Sequence, residues 1–259
     1  MLDTVMPGRA AVALGDLQTA DYVSLLVPGA LLSVREHMAE WTEVADDIYN
    51  EQTAWQKRFG SSKTVATVSW IGYRTPDVTN VAGLDLAEEG ASFLSGTVNG
   101  LKSLRTGHEP YVSVFAHSYG ATAAMLALDR REMSVDALAM IGSPGGAADR
   151  ADQLAVPAGH VWVGEAAWDP VVHTAFFGAD PGSPEFGAKT MSVSGAVDPV
   201  TGAVLTASVG HDWYLEPGTE SLRNLSLIGI DRGDWVTDGS GDDSAKTLAL
   251  GTDSSSATR

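Results

Sequence analysis

The chain contains no cysteine, which excludes disulfides, thiol nucleophiles and thiolate metal sites together and leaves the redox compartment open. Basic residues are scarce: 16 Lys and Arg stand against 33 Asp and Glu, a net charge of −17. A field of that sign repels nucleic acid and anionic membrane surfaces, so neither is expected as a partner. Long apolar runs are missing as well, and none approaches the ~20 residues that a transmembrane helix requires. Met1 to Leu17 lacks both the basic region and the apolar core of a secretion signal, which makes the cytoplasm the default location. There is no Gly-x-x-x-x-Gly-Lys loop, no His-Glu-x-x-His pair and no Gly-x-Gly-x-x-Gly turn after a strand. Nothing therefore predicts a nucleotide, a metal or any other cofactor.

What is present is the composition of a globular protein: 259 residues, 44% of them hydrophobic, enough for one large α/β domain. Strand-like and helix-like segments alternate, the signature of a parallel sheet flanked by helices. Tyr22–Val27, Thr64–Ile71, Tyr111–His117, Val135–Ile141, Gly159–Gly164 and Thr190–Val193 read as six strands. Helices are expected at Ser33–Phe59 and Leu84–Leu104, with apolar residues at helical spacing, from Ser118 to about Asp129, and from the N-cap Thr219. From Thr237 onward the chain is rich in Asp, Gly, Ser and Thr and buries too little apolar surface to order itself. One domain over residues 1–236 and a disordered tail over 237–259 is the expected organisation. The sequence carries no signal for an oligomeric state.

The most informative stretch is Val112-Ser113-Val114-Phe115-Ala116-His117-Ser118-Tyr119-Gly120, which runs from a strand through a tight turn into an alanine-rich helix. Residues two before and two after Ser118 are small, as the nucleophile elbow of the α/β-hydrolases demands. A second Ser-x-Gly, Ser143-Pro144-Gly145, is rejected because proline has no N–H for an oxyanion and Ile141 is too large.

A serine hydroxyl needs a histidine to take its proton and a carboxylate to orient that histidine, and on such a fold the chain order is Ser, acid, His. Among six histidines, His37, His108 and His160 read as structural or surface residues, and the side chain of His117 is expected to point away from the base position. His173 precedes the last strand, whereas His211 follows it, so His211 is preferred. Asp169 follows the fifth strand, in a loop stiffened by Pro170 where Trp168 could help bury it; Asp180 and Asp198 are weaker alternatives that read as turn formers. The amides of Tyr119 and Ala30 are the expected oxyanion donors, with Leu31 as the alternative to Ala30, and Gly29 permits close approach of the backbone.

With these residues in place, the chain resembles an actinobacterial α/β-hydrolase family catalogued as domain of unknown function 1023. The resemblance spans Gly8 to Ile230 and rests on Gly8-Arg9-Ala10-Ala11-Val12-Ala13-Leu14-Gly15-Asp16, Val27-Pro28-Gly29, Trp70-Ile71-Gly72-Tyr73, Ala116-His117-Ser118-Tyr119-Gly120, Asp169-Pro170-Val171 and Phe177-Gly178-Ala179-Asp180-Pro181. It implies the hydrolase fold and supports Ser118, Asp169 and His211 as a triad. The elbow departs from the family pattern by carrying Ala116 where Gly is commoner.

Segment lengths predict a core of about six parallel strands, without the antiparallel first strands usual for the fold and without a large cap domain. Small capless hydrolases of this shape cleave esters, and the expected activity is ester hydrolysis on a small-molecule acyl substrate. Acyl transfer, thioester hydrolysis and a non-catalytic binding role are the alternatives.

Overall fold

The computed structural model describes residues 2–3, 8–105 and 107–240. Its centre is an eight-stranded sheet in the order β1-β2-β4-β3-β5-β6-β7-β8. The strands are β1 (Leu2–Asp3), β2 (Arg9–Leu14), β3 (Tyr22–Val27), β4 (Val65–Ile71), β5 (Tyr111–His117), β6 (Ala137–Ile141), β7 (Val161–Gly164) and β8 (Lys189–Thr190). The six strands from β3 to β8 are mutually parallel. Every residue of β3, β4, β6 and β7 is buried, as expected of parallel strands covered on both faces.

Alternation along β3 divides the core. Val23, Leu25 and Val27 point to one side, where α2 (Asp85–Leu104) and α3 (Tyr119–Asp129) supply Ala87, Ala91, Leu94, Ala123 and Met125. Tyr22 and Leu26 point to the other side, against Trp41, Ala45, Ile48 and Trp55 of α1 (Val34–Arg58) and Leu222 and Leu225 of α4 (Glu220–Gly229). Thr219 caps its helix as the sequence predicts, its Oγ1 accepting the Leu222 amide at 3.1 Å, and Ser33 caps α1, its Oγ accepting the Glu36 amide at 3.3 Å. On α2 the apolar stripe is buried in its middle, but Leu104 at its end is 86% exposed.

Two expectations need correction. The antiparallel first strands are present: β2 pairs antiparallel with β4, from Ala10 opposite Ile71 to Leu14 opposite Thr67, and β1 pairs antiparallel with β2. The stretch Arg9-Ala10-Ala11-Val12-Ala13-Leu14 is half exposed at the sheet margin, and alanine is depleted in strands, so no local pattern marks it. The packed chain also continues past Val236, where the tail was expected to begin. Thr237 is buried, donating its hydroxyl to Glu220 Oε1 at 2.6 Å and accepting from Asn224 Nδ2 at 2.9 Å. The rest of the expected tail, 241–259, lies outside the described residues.

Between β6 and β7 the chain forms only turns and a short 3-10 segment, Ala151–Gln153, so no helical cap stands there. A two-stranded hairpin, β9 (Ala196–Val197) with β10 (Val204–Leu205), lies outside the main sheet. No helix among the described residues is long and apolar enough to cross a membrane.

Candidate active site

β5 delivers the chain to Ser118, which joins strand to helix with φ 53° and ψ −128°. A non-glycine residue in this region is strained and persists only where its surroundings hold it. Here the Ser118 amide donates to Ile141 O at 2.9 Å. The turn also presses against the loop after β3: a Cβ on Gly120 would fall 2.4 Å from Pro28 O, and one on Gly29 would fall 2.6 Å from Ser118 Cβ. The small residues demanded by the sequence pattern are thus required by backbone contact. Ala116, fully buried, fits the position where glycine is commoner.

His211 and Asp169 arrive from loops far along the chain. Ser118 Oγ lies 2.8 Å from His211 Nε2, and His211 Nδ1 lies 3.0 Å from both Asp169 oxygens. Burial alone would raise the Asp169 carboxyl. Hydrogen bonds from His211, from the Val171 amide at 2.9 Å and from the Tyr214 hydroxyl at 2.7 Å outweigh it and hold the group at about 2. An ionised carboxylate only accepts, so Nδ1 carries the imidazole proton and Nε2 is left bare to accept from the Ser118 hydroxyl.

The backbone amides beside the serine fall into two groups. Tyr119 is the first residue of α3, where helix amides are unpaired and the dipole is positive. In the facing loop, the Leu31 amide donates to Pro76 O at 2.8 Å and is therefore engaged, which favours Ala30 of the two residues weighed from the sequence. The buried Tyr73 hydroxyl donates to Pro28 O at 2.8 Å and fixes this loop from behind.

Ser118 opens into a cleft of about 230 Å³ walled largely by Val81, Tyr119, Pro170, Val171, Phe176 and Phe177. The walls are mostly apolar, with Thr174 the polar exception beside the serine itself. A family model described as alpha/beta hydrolase matches residues 3–179. The chain belongs to this family.

An uncharacterized protein of Mycobacterium tuberculosis is 27% identical to this chain over 259 residues, covering 88% of this chain and 38% of its own length. The chain thus spans less than two fifths of that relative. An uncharacterized protein of Mycobacterium bovis is 29% identical over 194 residues, covering 73% of this chain and 70% of its own. Among solved structures, esterase PE8 superposes with a TM-score of 0.54 at 15% identity, covering 86% of this chain and 98% of that one. A serine hydrolase without lid from Xanthomonas campestris gives 0.50 at 14%, covering 91% and 94%. At such identities the structural matches establish the fold.

Other sequence expectations resolve by contact. Ser143 is buried and accepts the Gly145 amide at 3.2 Å. Asp198 is tied to Arg223 Nε at 2.9 Å, and Asp180 accepts the Gly182 amide at 2.9 Å; neither meets His211. His37 accepts the Ser33 amide through Nδ1 at 3.1 Å, His160 Nδ1 meets Tyr111 Oη at 3.3 Å, and His108 is exposed. His173 faces Asp180 and Glu165.

Trp168 does not shield the acid. It sits at φ 65° and is 88% exposed, while Asp169 is enclosed by Tyr214, His211 and the turn at Gly142, where a Cβ would stand 3.1 Å from Asp169 Oδ2. His117 likewise departs from expectation. Its ring packs on His211, and its Nε2 lies 2.8 Å from the His211 carbonyl oxygen, so it braces the loop that presents the imidazole. Tyr214 escaped the sequence reading altogether: its hydroxyl accepts the Ala166 amide at 2.8 Å while donating to Asp169. Only its place three residues after His211 hinted at it.

Proposed function

We propose that the protein is a serine hydrolase acting on carboxylic esters through an acyl-enzyme, with Ser118 as nucleophile, His211 as base and Asp169 as orienting acid. The observation that carries this reading is the continuous hydrogen-bonded relay from Ser118 Oγ through His211 to Asp169, set at a strained elbow on the floor of an apolar cleft.

In the first step Ser118 Oγ attacks the acyl carbon while its proton passes to His211 Nε2. Negative charge on the former carbonyl oxygen is met by the Tyr119 and Ala30 amides, which together supply several kcal/mol. Collapse breaks the ester C–O bond, and the leaving alkoxide takes the proton from His211. Water, deprotonated by His211, then attacks the acyl carbon and restores Ser118 as the acid departs.

The apolar walls favour an acyl chain over a charged or sugar group, and a cleft of about 230 Å³ suits a short to medium chain. Among proteins sharing the fold are esterase PE8 and a serine hydrolase without lid. No helical cap stands between β6 and β7 among the described residues, which leaves the acyl-enzyme accessible to water and favours hydrolysis over transfer to another acceptor.

The test is a panel of p-nitrophenyl esters of rising chain length, run on the wild type and on Ser118→Ala, with fluorophosphonate labelling of both. Activity and labelling are expected in the wild type and lost in the variant. A folded wild type that neither turns over any ester nor takes the label would leave the non-catalytic reading in place.

A further inference from the structure

Apart from the Ser118 relay, Glu165, His173 and Asp180 converge so that one donor atom from each lies within 4.8 Å of the others. Glu165 directly follows β7, His173 stands in the loop that carries Asp169, and Asp180 closes that loop. His173 Nδ1 is 3.2 Å from Asp180 Oδ2 and 3.6 Å from Glu165 Oε2. Ligands bound to a tetrahedral ion at roughly 2.0–2.2 Å stand about 3.4 Å apart. The two separations from His173 match that spacing, and the third donor atom lies within 4.8 Å of both others.

A second observation concerns one oxygen of the Glu165 carboxylate. Glu165 Oε1 is shut off from solvent and has no hydrogen-bond partner, whereas buried polar atoms are normally satisfied. The carboxylate lies directly over Gly182, where a Cβ would fall 2.2 Å from both of its oxygens, so a backbone without a side chain makes room for it. A cation bound by both Glu165 oxygens would satisfy the orphan. Asp180 is also oriented from outside: its Oδ1 accepts the Gly182 amide at 2.9 Å, leaving Oδ2 toward His173.

We propose that Glu165, His173 and Asp180 bind a divalent transition cation of the zinc type. Two carboxylates balance its charge, and the imidazole nitrogen selects against calcium and magnesium, which take oxygen ligands. The exposed side of His173 leaves solvent to complete the shell. The ion would join both ends of the loop bearing Asp169 and the cleft walls Pro170, Val171, Phe176 and Phe177, so its role is to position them, not to touch substrate. No spacing signature links residues 165, 173 and 180, which is why the sequence predicts no metal. This inference stands whether or not the esterase reading does.

The experiment uses the full chain without an affinity tag, freed of metal by chelator. Zinc chloride is titrated by calorimetry, the melting temperature is followed against zinc concentration, and cobalt(II) serves as a spectroscopic probe. One equivalent of zinc is expected to bind and raise the melting temperature, with visible cobalt bands that zinc displaces. His173→Ala, at a side chain that is 67% exposed, and Asp180→Asn should each weaken zinc binding at least tenfold while the metal-free variants keep the circular dichroism of the wild type. Absence of saturable zinc and cobalt binding, equal binding by both variants, or equal competition by calcium overturns the proposal.

Discussion

The His117 ring lies 4.8 Å from the His211 ring, tilted by 39°, and its Nε2–H donates to the His211 carbonyl oxygen at 2.8 Å. Burial, and then the neighbouring His211, hold the His117 imidazole down at about 4, against partial support from Asp212 and Asp169. The unfolded chain takes up this proton near 6.5, so between pH 6.5 and about 4 the unfolded state binds more protons and stability falls as pH falls. The loss by pH 4 should be on the order of 3 kcal/mol. Asp169, held at about 2, loses its own contribution only below about pH 4, so the two windows separate. Urea unfolding at pH 7 and pH 4.5 checks this: His117→Gln should show a clearly smaller drop than the wild type, and an equal drop would refute the assignment.

Tyr214 bonds the acid and the Ala166 amide with one hydroxyl. Tyr214→Phe leaves that amide without its acceptor and deprives Asp169 of a donor, so about 1–3 kcal/mol of stability should be lost. Asp169 should then titrate higher, and the acid limb of the kcat/KM profile should move up in pH. A profile superposing on the wild type would show that the tyrosine is only a packing residue.

Gly29 has no room for a methyl group, since its Cβ would sit 2.6 Å from Ser118 Cβ and 3.1 Å from Ser118 Oγ. Gly29→Ala is expected to displace the serine and cut fluorophosphonate labelling at least tenfold, in a protein whose circular dichroism is unchanged. Labelling at the wild-type rate would mean that the loop after β3 yields easily and does not define the site.

Asp198 and Arg223 form a pair with each side chain only 2% exposed. Breaking a buried pair strands the remaining charge, at a cost of about 3–5 kcal/mol. Asp198→Ala should therefore lower the urea midpoint strongly, while the fraction still folded labels at Ser118 normally. Selective loss of labelling without loss of stability would place Asp198 in the chemistry instead.

Much of the site was legible because its demands are local or ordinal. Ser118 is marked by the small residues around it, and His211 and Asp169 by their order after particular strands. His117, Tyr214 and Trp168 were not legible, because each role depends on side-chain direction within a loop. Trp168 takes a left-handed backbone that turns its ring to solvent, and His117 reaches a carbonyl that belongs to a residue far along the chain.

The sequence by itself determined the parallel core, the helices that cover it and the turn at Ser118, because strand alternation, helical periodicity and the sterics of a tight turn act over a few residues. Tertiary structure alone decided the antiparallel strand β2, whose alanines find their partner in β4, and the sealing of Asp169 by Tyr214 instead of Trp168. It also decided the convergence of Glu165, His173 and Asp180. These are contacts between segments with no shared local pattern, and only the packing of the whole chain brings them within hydrogen-bonding reach.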